Sequence, residues 1–233
     1  WDPKARVNDK SEKGSGNSKA DIKYFADMVA YTDKMVGKIL TKLDDLKIRE
    51  NTIVIFTGDN GTYTGVTSMM GETKIQGGKG KTSDNGTHVA MIASWPGTGP
   101  TGKVCDDLVD FSDVLPTLAD LAGAELPNDI DFDGRSFAPQ LRGEKGEPRE
   151  WIYCWYSRSG ARNKASQHVR DQQYKLYADG RFYNVADDFY EQQPLDVNKL
   201  DATAQNRRAL FSQVLSEKVE EASRQKITKP KKQ

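Results

Sequence analysis

The run Thr52-Ile-Val-Ile-Phe-Thr57 constrains this chain more than any other stretch: six β-branched or aromatic residues without a break, ending in Gly58-Asp59-Asn60-Gly61. An uninterrupted apolar run of that length predicts a strand buried on both faces, as at the centre of a parallel sheet. The carboxyl edge of such a sheet is where open α/β folds bind ligands, so Asp59 and Asn60 stand where two oxygen-bearing side chains can hold a hard cation, Ca²⁺ or Mg²⁺. Asp-Asn-Gly is also strong turn chemistry, and a hairpin at Asn60-Gly61 is the competing reading. It requires an alternating partner strand, and Thr62 to Gly71 alternates poorly.

Downstream lie Gly77-Gly-Lys79-Gly80 and Gly86-Thr-His88-Val89, the latter leading into a second apolar segment that ends Trp95-Pro96-Gly97. Glycines around Lys79 permit close backbone approach, and the lysine offers a point charge to an anion. Taken alone the stretch lacks the full phosphate-loop spacing, which leaves a solvated flexible loop as the alternative.

In this order and spacing, Asp59-Asn60-Gly61, Gly77-Gly-Lys79-Gly80, Gly86-Thr-His88-Val89 and Trp95-Pro96-Gly97 resemble the second half of the sulfatases, members of the alkaline-phosphatase-like superfamily. The resemblance covers nearly the whole chain. It implies an α/β fold: residues 1–143 as the carboxyl-terminal part of the sulfatase α/β sandwich, and 144–233 as a smaller antiparallel sheet with a terminal helix and a basic tail. It implies a sulfuric ester hydrolase of the arylsulfatase type acting on a sulfate ester, carbohydrate or other. Asp59 and Asn60 would be metal ligands, and Lys79 would contact a sulfate oxygen and the leaving-group oxygen. His88 stands where the family carries Arg or His; a substrate contact is one reading, and a histidine satisfied by backbone hydrogen bonds is the other. Asp84 and Asn85 replace the Glu-Gly of many sulfatases.

The family nucleophile is a formylglycine made in a Cys/Ser-x-Pro/Ala-x-Arg motif upstream of the Asp-Asn pair, and no such motif precedes Asp59. The chain therefore reads as a carboxyl-terminal portion, inactive alone and partnered by an upstream part of the same protein. Cys154-Trp-Tyr-Ser-Arg158 matches the nucleophile motif superficially, but it has Tyr156 where Pro or Ala belongs and falls in the antiparallel region. It reads as a buried cysteine on an aromatic strand. A phosphonate or phosphate ester hydrolase of the same superfamily and a non-catalytic binding or assembly fragment are the alternatives.

Composition narrows the remaining classes. The 34 basic residues match 34 acidic ones, without the basic excess of a nucleic-acid-binding chain. No apolar run approaches the roughly 18 residues of a membrane span. The two cysteines, Cys105 and Cys154, are too few for a disulfide framework and lack metal-site spacing; whether they pair stays open.

Along the rest of the chain, residues 1–20 read as a polar linker. Ile22, Phe25, Val29, Val36, Ile39 and Leu43 recur at helical spacing, so Asp21 to about Leu46 is predicted as an amphipathic helix on the sheet, with Ser18 and Asp21 as a loose capping start. Phe111 to Ala122 reads as a helix capped by Ser112 or Asp113 and stopped by Gly123. From about Glu144, short aromatic segments around Trp151–Tyr156, His168–Arg170, Tyr174–Tyr177 and Arg181–Val185 predict the antiparallel sheet. Asp201 to about Ser223 predicts a closing helix, and Lys226 to Gln233 a solvated tail.

Overall fold

The computed structural model describes residues 23–224. The polar segment 1–20, the capping start at Ser18 and Asp21, and the tail 226–233 lie outside the described residues. The chain divides into two compact units, one holding residues 23–103 with Leu141–Gly143, the other Val104–Gln140 with 144–224.

In the first unit, helix α1 (Lys23–Asp45) occupies the predicted place. It closes at Lys47, whose φ of 57° puts a non-glycine residue in the left-handed region, with the Lys47 and Ile48 amides bonded back to the Asp44 and Leu43 carbonyls. Strand β1 (Val54–Thr57) pairs with β4 (Met91–Ser94), and β2 (Thr67–Met70) forms a hairpin with β3 (Thr73–Gln76). A single turn of helix, α2 (Asp84–Thr87), lies between β3 and β4.

Two expectations are corrected here. Strand β1 is not interior to a parallel sheet: among the described residues it pairs with β4 alone, in antiparallel register with Val54 opposite Ser94, and Phe56 is 40% exposed. Helix α1 likewise leaves Met28, Val29 and Ile39 exposed rather than packed on a sheet. The physical reason is common to both. An apolar run is buried on both faces only where further elements flank it, and a two-stranded ladder offers one neighbour and no second layer.

The second unit has the conventional core. Strands β5 (Ile152–Tyr156), β6 (Ser166–Arg170), β7 (Tyr174–Tyr177) and β8 (Phe182–Asn184) form an antiparallel meander in chain order, as the aromatic segments predicted. Helix α5 (Ala202–Arg224) packs Ala204, Phe211, Val214 and Leu215 against Val169, Tyr174, Leu176 and Phe182. Its first turn is capped by Asp201, whose carboxylate accepts the Ala204 amide at 2.8 Å.

Helix α3 (Val114–Ala122) is entered through a 3₁₀ turn at Phe111–Asp113, and a one-turn helix, α4 (Ala138–Leu141), follows. The cap at Phe111 is not Ser112 or Asp113 but Asp110, which accepts the Ser112 amide while its own amide donates to Asp113 Oδ2. Buried Asp113 is committed elsewhere as well: it accepts the Arg135 amide at 2.7 Å and both Nε and Nη2 of Arg149.

Candidate active site

The ladder of β1 ends at Thr57, and Gly58 donates only a long bond of 3.3 Å to the Ala90 carbonyl. Side chains on a regular strand alternate faces, so leaving the strand before Asp59 is the condition for Asp59 and Asn60 to serve one ion. Asp59 is exposed and Asn60 half-buried. A type I′ hairpin turn would need φ above zero at both Asn60 and Gly61, and neither is in that region. The hairpin lies further on, between β2 and β3, and turns at Gly71-Glu72 with Gly71 at φ 60°. Thr67-Ser-Met-Met70 carries a weak strand signal, so this hairpin was not legible from residue types alone.

Gly78, Lys79, Gly80 and Lys81 form a β-turn closed by a 2.7 Å bond from the Lys81 amide to the Gly78 carbonyl. Gly80 has φ 85°, the third-position geometry that a type II turn demands, and Lys79 occupies the exposed corner. The segment that follows Asp59–Asn60 is bonded both to this turn and to helix α2 beyond it. The Lys79 amide donates to the Thr62 carbonyl at 2.9 Å, and the Gly61 amide donates to the Gly86 carbonyl at 2.9 Å.

Close approach fixes the glycines at these crossings. A β-carbon on Gly61 would stand 2.0 Å from the Asn85 carbonyl oxygen, and one on Gly78 would stand 2.5 Å from the Asn85 carboxamide carbon. These glycines thus admit the chain's own backbone, not a bound group. Buried Asn85 lies between them: its Oδ1 accepts from Ser83 Oγ at 2.7 Å, and its Nδ2 donates to the Gln76 carbonyl at 3.0 Å.

His88 is not satisfied by the backbone through its ring. Its amide donates to the Asp84 carbonyl, but the side chain is 72% exposed, with Nδ1 3.9 Å from the carboxylate of buried Asp84. The cause is local: α2 ends at Thr87, and His88 is already extended at φ −88° and ψ 104°, which turns its side chain out to solvent.

Asp59 and Asn60 offer hard oxygen donors of the kind Ca²⁺ and Mg²⁺ take. Among the described residues no group of three or more His, Cys, Asp or Glu side chains gathers as a metal site, and Asp59 and Asn60 by themselves fill only part of a six-to-eight-oxygen shell. In the second unit, Cys154 faces His168 across β5 and β6. Burial pushes its thiol pKa up, nearby Lys175 pulls it down and Asp110 raises it, for a net rise. Cys105 and Cys154 are both free thiols.

The family model described as Sulfatase matches residues 2–124, and the one described as N-sulphoglucosamine sulphohydrolase, C-terminal, matches residues 79–232. Human arylsulfatase A is 40% identical over 134 residues, covering 57% of this chain and 26% of that protein. A solved 2-O GAG sulfatase superposes with a TM-score of 0.61 at 25% identity, over 83% of this chain and 41% of the other. The phosphonate monoester hydrolase of Agrobacterium radiobacter shares the fold, with a TM-score of 0.63 at 24% identity over 82% of this chain and 39% of that one. The chain thus spans about a quarter of arylsulfatase A and about two fifths of these solved structures. The fold is α/β, part of the alkaline-phosphatase-like sandwich with a small antiparallel C-terminal sheet and helix. On the two family models, which together cover nearly its whole length, the chain belongs to the sulfatase family.

Proposed function

We propose that this chain supplies part of the active centre of a sulfuric ester hydrolase, with Asp59 and Asn60 as ligands of Ca²⁺ (or Mg²⁺) and Lys79 as the cation facing the sulfate. The observation that carries this reading is the pair of backbone bonds that hold the segment after Asp59–Asn60: the Lys79 amide to the Thr62 carbonyl, from the Lys79 turn, and the Gly61 amide to the Gly86 carbonyl, from helix α2 just beyond that turn. An ester sulfate carries its charge on oxygens that gain negative character, with the leaving oxygen, as the S–O bond breaks. A fixed cation beside them lowers the barrier because it need not reorganise at that moment. Lys79, at the exposed corner of a turn, presents such a charge on a flexible stem. A divalent cation bound at Asp59 and Asn60 would neutralise sulfuryl oxygens in the same way. Exposed His88 stands by as a further substrate contact.

Nothing in these roles attacks sulfur. The nucleophile, a formylglycine, and the remaining metal ligands are assigned to an upstream part of the same protein, so residues 1–233 alone are inactive. Removing a nucleophile typically costs several orders of magnitude in rate. The substrate alcohol, carbohydrate or aryl, is set by groups other than these motifs.

The test is to assay residues 1–233 with an aryl sulfate and Ca²⁺, alone and mixed with an upstream segment carrying its matured formylglycine. Turnover is expected only in the mixture, and Lys79→Ala there should lower kcat by about 10²-fold or more, the usual cost of losing one group that stabilises developing charge. Turnover by the lone chain that vanishes on Cys154→Ala would overturn the assignment. A mixture that turns over an aryl phosphonate in preference to the sulfate would favour a phosphonate ester hydrolase instead.

A further inference from the structure

We propose that Asn85 is a positioning residue for Lys79, setting the lysine's place relative to Asp59 and Asn60; the inference rests on the reading of Lys79 as the sulfate-facing cation. Asn85 is 6% exposed and touches both segments of the candidate site. On one side its backbone carbonyl lies where a β-carbon of Gly61, the neighbour of Asn60, would stand. On the other its carboxamide lies where a β-carbon of Gly78, the neighbour of Lys79, would stand.

Its hydrogen bonds fix the side chain between these two contacts. Nδ2 donates to the carbonyl of Gln76, the last residue before the Gly-Gly-Lys-Gly turn, and Oδ1 accepts from Ser83 on the far side of that turn. The carboxamide therefore ties both ends of the segment 76–83 together, and the segment's corner is Lys79. Aspartate is nearly the same shape and still accepts from Ser83. It has no donor for Gln76, and it sets a carboxylate against that carbonyl, so it isolates the bond that the proposal depends on.

The experiment uses ¹⁵N-labelled chain 1–233 as the unsubstituted protein and as Asn85→Ala, Asn85→Asp and Lys79→Gln variants. Two readouts are taken: amide exchange of Gly61 and Lys79, and the response of the Lys79 amide to inorganic sulfate in CaCl₂. Both Asn85 variants are expected to exchange the two amides at least tenfold faster and to weaken sulfate binding at Lys79 at least tenfold. The β6 and β7 amides of the other unit serve as the folding control and stay unchanged. Lys79→Gln is expected to abolish the sulfate response with exchange unaltered.

Unchanged exchange in Asn85→Asp overturns the proposal. Faster exchange with undiminished sulfate binding also overturns it, reducing Asn85 to a packing residue. An unsubstituted chain whose Lys79 amide ignores sulfate overturns the sulfate reading of Lys79 itself, while the exchange comparison still decides whether Asn85 locks the two segments.

Discussion

Replacing Lys175 by methionine would strip the cation from a charge pair sealed inside the second unit. The Lys175 side chain is 0% exposed, and its Nζ lies 2.7 Å from Oε1 of Glu191, itself 6% exposed. The Tyr177 hydroxyl donates to the other carboxylate oxygen, and Nζ also sits 5.3 Å from the centre of the Tyr177 ring. Methionine fills nearly the same volume, so cavity formation contributes little. What remains is a carboxylate out of water with one neutral donor. Breaking a buried pair in this way costs about 3–5 kcal/mol, a large part of the roughly 5–15 kcal/mol by which a domain is stable. With a urea m-value of about 2 kcal/mol/M, the midpoint falls by about 2 M. The measurement is urea denaturation followed through the amide signals of β6 and β7, so that only the unit containing the pair is read. Lys175→Met with Glu191→Gln should recover more than half of the loss, because glutamine removes the stranded charge and still accepts from Tyr177. A single variant that loses less than about 1 kcal/mol, or a double variant no better than the single, would refute the reasoning.

Two further outcomes follow from the same sheet. His168 is buried, with Nδ1 lacking a hydrogen-bond partner; burial first, then Lys175 and Arg170, hold its pKa well below the usual histidine range. The groups facing it are Cys154 on β5, Tyr177 and Lys175 on β7, and Arg170 on its own strand. A depressed folded pKa means that the unfolded chain takes up the proton first, near pH 6.5, so this contribution to stability is complete above that pH and is lost as pH falls below it. His168→Phe should therefore flatten the decline of the urea midpoint between pH 7 and 5, and parallel curves for parent and variant would sink the idea. Exposed Cys105 should react with a thiol reagent at pH 8 at least tenfold faster than Cys154, whose raised pKa and partial burial both oppose thiolate attack; equal rates in the folded chain, seen by mass spectrometry, would count against it.

What the sequence made legible is what local chemistry encodes. The aromatic segments between polar turns predicted β5 to β8 because a pleated half-buried surface selects those side chains, and the apolar spacing through Ala209, Val214 and Val219 marked α5. The place of Asp59 and Asn60 past the end of β1 followed from a run that stops at glycine. The neighbours of β1 did not follow, because the residues of a strand record how apolar its surroundings can be and not which strand supplies them. Lys175 was equally hidden: a lysine in Tyr-Lys-Leu-Tyr reads as solvent-facing. It is buried only because Glu191, sixteen residues on and held at φ 56°, reaches it. Asn85 escaped for the same reason, since its burial depends on Gly61 and Gly78, which nothing in its own neighbourhood names.

The two units are held together by different forces, and the difference bears on the candidate site. The second unit buries an eight-residue apolar cluster between sheet and helix, so its geometry rests on the non-directional, area-proportional term that dominates folding. In the first unit Val66 is the one fully buried apolar side chain among the described residues, and it anchors the base of the β2–β3 hairpin through bonds with Tyr63 and Gly77. The arrangement of Asp59, Asn60 and Lys79 therefore depends on directional contacts: the Gly61–Gly86 and Lys79–Thr62 backbone bonds and the Asn85 carboxamide between them. Each such bond contributes only about 0.5–1.5 kcal/mol net. A segment fastened this way opens locally at low cost, and an ion or anion that bridges it would stabilise the closed form by mass action. The site-bearing turn is thus the part of the molecule whose order should respond most strongly to Ca²⁺ and sulfate, while the sheet of the second unit should not respond at all.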